Sequence, residues 1–551
     1  MRVTNKIMQR NNLFNINTNK MYQDKLSTQM STQKKINRPS DDPVVAIRSL
    51  RLRSNVTEIT QYYSKNIPDA ESWLKITEDA LSKLSDVISN MAAQCTRGTN
   101  SPFTTTDRGT VLEQLKLLSD EVYATGDADF AGRYVFTGYR TDTPLSFLSE
   151  QERKYEITEQ LDRNALDTFT YVNTDKVLQI NSVNYGDAPY KDITEDNITS
   201  VDVHRIRLAY NDCLDKDGNA VVPTISFVTG SNPDGSINTQ VWADKDGTAG
   251  TAGATYQIDI VNYADDPYSQ VVGTANADKV IFVPETGELL FGDNAYKDLM
   301  ETQDDVKTSN VNEGEIRITY EKSQWQKGDL RPEHYFYCKA DKLDNLGNKV
   351  LGPDGKTVES IEYNDTYITT NADRQVIEYN VGFNQTVRIN STADECFNHG
   401  IGREVDDVIN AMEDVLALEG AQADIKAIME KLDEGHSDLP ILQKQLDAVE
   451  KALTYAKDKE QKMFEGGITA FQKYLNEANV CVTACGSRGS KLDLIKNRSQ
   501  NQKTTYETLK SENEDIDITE VAIQLTSAEL TYDAALMAAG KVMQNTLMNF
   551  I

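Results

Sequence analysis

Four histidines are the first residues to test for chemistry: His204, His334, His399 and His436. No two are close in the chain, and no His-Glu-x-x-His run occurs, so the helical zinc-peptidase arrangement has no support. Cysteine offers a second route, to metal or redox chemistry. Cys95, Cys213, Cys338, Cys396, Cys481 and Cys485 are scattered, in a chain too large to need disulfide staples. Cys481 and Cys485 share one helical face, but their spacing is not that of a zinc knuckle. A small buried apolar role is expected of them. Asp215-Lys-Asp217-Gly218-Asn219 looks faintly like a calcium loop. Setting Gly218 sixth puts Cys213 first and Thr224 twelfth, where carboxylates are required, so a turn is expected. Asp41 and Asp42 are better explained as helix caps than as metal ligands. No glycine-rich phosphate loop precedes a helix, and no Gly-x-Ser-x-Gly elbow occurs. The expectation is a non-enzyme with no catalytic, metal or cofactor site.

The elements themselves then become the question. A chain of 551 residues has room for three or four domains of about 150 residues each. Its net charge of −29 argues against nucleic acid and anionic membranes as partners, and for a soluble, self-repelling surface. No apolar run approaches the roughly 18 residues of a membrane span. The N-terminus has no continuous apolar core and no small-residue cleavage site. A cleaved secretory signal is therefore not expected. That fits a cytoplasmic protein, or one exported without a cleaved signal.

Periodicity divides the chain into helix, strand, helix. Residues 1–35 carry Ile7, Phe14 and Met21 at steps of seven, supported by Val3, Leu26 and Met30. After Pro43 a second pattern opens. Ile67, Ala70, Leu74, Thr77, Leu81, Leu84, Ile88, Met91 and Cys95 step three-four without a break, which predicts a coiled-coil or bundle helix. Val111, Leu115, Leu118 and Val122 predict an antiparallel return. From about residue 146 apolar and polar residues alternate, as in Tyr155-Glu-Ile157 and Tyr256-Gln-Ile-Asp-Ile260. Val280–Val283 and Leu289–Phe291, around Pro-Glu-Thr-Gly287, predict a hairpin. Helical spacing resumes near Val405. At the C-terminus Ile518, Val521, Leu525, Ala528, Tyr532, Ala535, Ala539, Val542 and Thr546 form one stripe, and Ala522, Leu536, Met543 and Phe550 a second beside it. A helix apolar on two faces needs more than one neighbour.

The ends differ in charge. Residues 1–53 hold eleven Lys/Arg against three Asp/Glu, and residues 512–551 one against seven. Pairing of the two terminal helices follows as the expectation. The predicted fold is α+β: an elongated helical rod built from paired N- and C-terminal segments, with an inserted β-rich outer domain. Its parts are 1–42 and 512–551 as terminal coiled-coil assembly segments, 43–145 and 399–511 as the helical rod, and 146–398 as the insertion.

At this point the residues resemble a family. Ser31-Thr-Gln-Lys-Lys-Ile-Asn-Arg-Pro-Ser-Asp-Asp-Pro43 is similar to a Ser-Thr-Gly-Lys-Arg-Ile-Asn-Arg-Pro-Ser-Asp-Asp-Pro stretch in the flagellin superfamily. The likeness is to its hook–filament junction members. Filament flagellins usually carry a related Ile-Asn-Ser-Ala-x-Asp-Asp-Ala-Ala version. Phe130-Ala-Gly-Arg-Tyr-Val-Phe-Thr-Gly138 with Thr141-Asp-Thr-Pro144, and Ile516-Asp-Ile-Thr-Glu-Val-Ala-Ile-Gln-Leu-Thr-Ser527, are similar to the same members. The likeness covers residues 1–145 and 400–551. It marks Arg38, Pro39, Ser40, Asp41, Asp42 and Pro43 as the turn motif. It also marks Ile7, Phe14, Met21 and the C-terminal stripes as the assembly interface.

The resemblance implies a structural protein of the bacterial flagellum, located outside the cell, with a filament flagellin as the alternative. Implied partners are copies of itself in a ring, the hook-side associated protein, flagellin, and an export chaperone with the type III export apparatus. It further implies terminal helices that order against neighbours on assembly. Gln33 stands where the family usually has glycine, so the first helix is expected to run further here.

Overall fold

The protein is described by a computed structural model covering residues 5–99, 103–174, 176–215, 217–231, 237–246, 255–302, 315–344, 348–354, 357–369, 375–433 and 435–544. The side chains of residues 5, 163, 231 and 542–544 are excepted. Val3, Thr546 and Phe550, and the side chains of Val542 and Met543, thus lie outside the described residues.

The helices are α1 (Asn5–Thr32), α2 (Pro43–Gln61), α3 (Ile67–Gly98), α4 (Thr105–Ala124), α5 (Asp293–Thr302), α6 (Asp365–Thr369), α7 (Ala393–Cys396), α8 (Gly400–Met429), α9 (Leu439–Glu514) and α10 (Ile518–Gln544). The strands used below are β1 (Asp129–Phe130), β2 (Arg133–Tyr134), β3 (Gln151–Leu161), β4 (Leu166–Asn173), β5 (Thr199–Arg207), β6 (Thr224–Ser231), β7 (Ile237–Asp244), β8 (Tyr256–Ile260), β9 (Val280–Val283), β10 (Glu288–Phe291), β11 (Ile316–Trp325), β12 (Tyr337–Asp341), β13 (Ser360–Tyr363), β14 (Glu378–Gly382) and β15 (Gln385–Arg388). The chain forms two compact units, each assembled from separate stretches.

The first unit comprises Met1–Glu71, Tyr379–Val387 and Gly489–Ile551. Here a π-helical turn, Tyr62–Asn66, joins α2 to the start of α3. Pro68 explains it: proline has no N–H for the helical ladder, and a wider turn just before it takes up the mismatch. The β14–β15 hairpin belongs to this unit. Its Asn380 carbonyl accepts from Asn66 Nδ2 at 2.8 Å, and the Tyr379 hydroxyl bonds Asp69.

The second unit comprises Ser72–Glu378 and Arg388–Arg488. An eleven-stranded sheet runs in the order β13-β12-β3-β11-β6-β7-β8-β9-β10-β5-β4. Pairing is antiparallel except at β7–β8 and β8–β9. The expected hairpin is present, with Val283 opposite Glu288. All eight residues of β9 and β10 are buried, the pattern of strands covered on both faces.

A hydrophobic core lies between α8 and α9. There Val415, Leu418, Ile425, Leu442 and Val449 meet Val177, Ile180, Ile193 and Ile198. Arg108 of α4 is buried and paired bidentately to Glu460 of α9 at 2.6 and 2.9 Å, with Glu419 of α8 at 3.3 Å. Losing either partner strands a buried charge, so the pair fixes which way three helices face. Every member of the seam from Ile67 to Cys95 is buried. Asp215 folds into the expected turn, accepting from the Asp217 and Asn219 amides at 2.9 and 2.8 Å. Among the described residues no cluster of three metal-ligating side chains forms, and no helix is long and apolar enough to cross a membrane.

Candidate assembly interface

The site lies wholly in the first unit. It begins at the turn, where Arg38-Pro39-Ser40-Asp41 closes with Asp41 N donating to Arg38 O at 3.0 Å. Pro39 is preset for the second position of such a turn. The Asp41 carboxylate accepts from the Arg38 and Asn37 amides at 3.0 and 3.2 Å. Those two bonds hold its pKa below the ordinary carboxylate value. Asp42 then caps α2, accepting from Val44 N at 3.0 Å and Val45 N at 3.1 Å, with Pro43 the first helical residue. Thus Asp41 shapes the turn and Asp42 starts the helix.

Upstream, α1 stops at Thr32 and Gln33 adopts φ +58°. This corrects the expectation that the helix runs on where the family's glycine is missing. The left-handed terminator is kept, and an ordinary L-residue carries its steric cost. What holds it is tertiary. Lys35 N donates to Glu514 O at 2.7 Å and Ile516 N to Gln33 O at 3.2 Å, making a short bridge between the end of α1 and the start of α10.

Glu514 anchors this joint. Its side chain is 3% exposed. It takes Arg53 Nε at 2.6 Å and an Arg53 terminal nitrogen at 2.8 Å, and accepts from the Ser49 hydroxyl, with Lys34 Nζ 3.8 Å away. The Arg53 bond, then that of Ser49, holds its pKa below the usual glutamate value. Lys34 and Ser511 do the same for Asp515. The basic N-terminal and acidic C-terminal segments therefore meet through named pairs.

Beyond the joint α1 and α10 run antiparallel. Leu26, Val521 and Ala528 form the buried cluster between them, with Met30, Ile516 and Leu525 at its margin. Of the C-terminal stripe, Val521 and Ala539 are buried and Leu525, Tyr532 and Ala535 half-buried, all on the α1 side. Leu536, of the second stripe, is 44% exposed.

On α1 the steps of seven face the other way. Ile7, Phe14 and Met21 are 51%, 71% and 75% exposed. The covered side of α1 is instead Asn12, Ile16, Asn19, Gln23, Leu26 and Met30, again stepping four-three but half polar. Three residues at one heptad position do not define a seam, which needs two positions in alternation. A matching outward row on α10, Ile523, Leu530 and Met537, escaped the sequence reading although its seven-residue step was legible. Val44, Ile47 and Leu50 add exposed apolar surface on α2.

The comparisons define first a class. Residues 3–141 match the family described as the bacterial flagellin N-terminal helical region. The particular relatives follow. Flagellar hook-associated protein 3 of Escherichia coli (strain K12) is 28% identical over 156 residues, covering 28% of this chain and 48% of the relative. A flagellin of Clostridium tyrobutyricum is 28% identical over 122 residues, covering 22% of this chain and 32% of the relative. The chain thus spans about half the length of the first relative and a third of the second. Among solved structures, a putative flagellar hook-associated protein from Vibrio parahaemolyticus covers 86% of this chain and all of its own, at 13% identity and a TM-score of 0.33.

Proposed function

We propose that this chain is a structural subunit of the bacterial flagellum, joining hook to filament. One observation carries the reading. A paired α1 and α10, in a chain whose residues 3–141 are a flagellin-type region, leave two seven-step apolar rows facing outward, Ile7-Phe14-Met21 and Ile523-Leu530-Met537. Such rows are unfavourable in water and favourable against another helix. Lateral contact with copies of the same chain in a ring satisfies them.

In this reading 1–42 and 512–551 assemble, 43–145 and 399–511 support them, and 146–398 form an outer β-rich part. The hook-side associated protein and flagellin are the axial neighbours. The chain reaches its place outside the cell through the type III export apparatus with a chaperone, without a cleaved signal. A filament flagellin is the second reading, favoured by the Clostridium relative. The two-proline turn Arg38–Pro43 argues for the junction.

Labelling on intact flagella separates them: a single band at the hook–filament boundary is expected, and signal along the whole filament overturns the junction reading. Removing about 30 C-terminal residues is expected to leave a folded chain that no longer enters flagella.

A further inference from the structure

Outside the interface, two thiols of the second unit meet. Cys396 ends α7 and is 4% exposed, while Cys481 lies on α9 and is the one cysteine of the six that is not buried. Cys396 and Cys481 lie close enough to shift each other's proton affinity in opposite directions. Cys481 Sγ also donates to the Glu395 carbonyl at 3.1 Å, so α9 touches both closing residues of the α7 turn. A surface pocket of about 570 Å3 opens beside Cys481, lined by Glu395, Thr469, Lys473, Glu477 and Val480. A small reagent therefore has a route to that sulfur.

The surroundings give the thiols different roles. The neighbouring Cys396 thiol, and then the Arg488 guanidinium, lower the Cys481 pKa against burial and the charges of Glu395 and Glu477. Arg488 is fixed there by the Asn390 carbonyl at 2.6 Å and Ser391 Oγ at 2.8 Å. Cys396 is shifted upward by its neighbour Cys481 and by burial. Reactivity follows the thiolate, so Cys481 is the attacking sulfur and Cys396 the resolving one. Cys485, one turn along α9, points elsewhere, donating to Leu74 O at 3.4 Å.

We propose that Cys396 and Cys481 form a reversible intrachain disulfide when the protein meets a small-molecule disulfide. The Cys481 thiolate attacks one sulfur of the reagent, giving a mixed disulfide and one small thiolate. Cys396 then loses its proton and attacks Cys481 Sγ, which releases the second small thiol. The protein gives up two electrons and two protons, and the reagent is reduced to two thiols. The bond ties the α7 turn to α9 across a loop of roughly 85 residues. Only the setting rests on the proposed function: outside the cell disulfides persist. The chemistry is tested on the purified chain whatever its place in a flagellum.

The full-length protein is equilibrated with oxidised glutathione near neutral pH, its thiols are counted and its peptides mapped without reduction. Two of the six thiols are expected to disappear, with a Cys396–Cys481 cross-linked peptide that dithiothreitol removes. Cys396→Ser is expected to stop at the glutathione adduct on Cys481, and Cys481→Ser to form neither. Loop closure is expected to raise the unfolding temperature of the oxidised wild type by about 5 °C. Six unreacted thiols in the folded protein, a Cys481–Cys485 link, or a dimer bridged through Cys481 overturns the proposal.

Discussion

At the scale of single residues, Gln33 holds a conformation its side chain disfavours, at φ +58°. Gln33→Gly is expected to stabilise the joint by about 1 kcal/mol by removing the contact between Cβ and backbone. The readout is slower hydrogen exchange at the Lys35 and Ile516 amides, which bond across that joint; unchanged or faster exchange refutes it. Glu159 is another such residue. It is fully buried, accepts from the Ala209 amide at 2.7 Å and from the Tyr320 hydroxyl, and burial pushes its pKa to about 7. The folded carboxyl binds its proton more tightly than the unfolded one does. Its stabilising effect is therefore full below about pH 4 and is lost as pH rises through 7. Glu159→Gln is expected to flatten the pH dependence of stability between pH 5 and 8, making the variant the more stable form at the alkaline end. Urea unfolding at several pH values measures it, and parallel profiles for both proteins count against it. Neither residue could be found from sequence. A left-handed glutamine and a buried glutamate are set by partners far along the chain, Ile516 for one and Tyr320 for the other.

At the scale of elements, local pattern decided what was legible. The seam from Ile67 to Cys95 repeats within one helix, so its inward face was readable and every member is buried. The caps at Asp42 and Pro43 were readable for the same reason. The order of the eleven strands was not: β3 lies between β11 and β12, more than 150 residues away, and alternation says nothing about neighbours. The inward face of α1 was obscured because polar residues occupy half of it. The two rows of α10 now separate by experiment. Leu530→Asp, on the outward row, is expected to leave the unfolding midpoint of the isolated protein within about 0.5 kcal/mol of wild type while abolishing incorporation into flagella. Ala535→Asp, on the half-buried row, is expected to weaken the α1–α10 pairing as well as assembly. Normal incorporation of Leu530→Asp sinks the proposed role of that row.

At the scale of the whole molecule, charge is distributed unevenly. The chain carries −29 overall, yet residues 1–53 carry a net +8. Copies repel at long range, while the Lys34, Arg53, Glu514 and Asp515 pairs act at contact. Those pairs lie within one chain, and of the four side chains only Glu514 is buried, so added salt acts between copies chiefly by screening their repulsion. Self-association measured by light scattering is therefore expected to speed up from about 0.05 to 0.5 M salt, where the Debye length falls from about 14 to 4 Å. A slower rate at high salt points to attraction between exposed charges as the driving contact. The opposed charges of the two ends were visible in the sequence. That Tyr379–Val387 joins the first unit was not, because these residues lie near the end of a β-rich stretch whose other residues belong to the second.

The covered side of α1 has one further consequence. Asn12, Asn19 and Gln23 occupy it where leucines would bind most tightly. Amides solvated by water exchange one set of hydrogen bonds for another when helices separate, so opening this seam costs less than its length implies. A polar group at such a position also rejects misaligned partners. The α1 helix thus carries a fastener that is easy to undo and hard to close out of step.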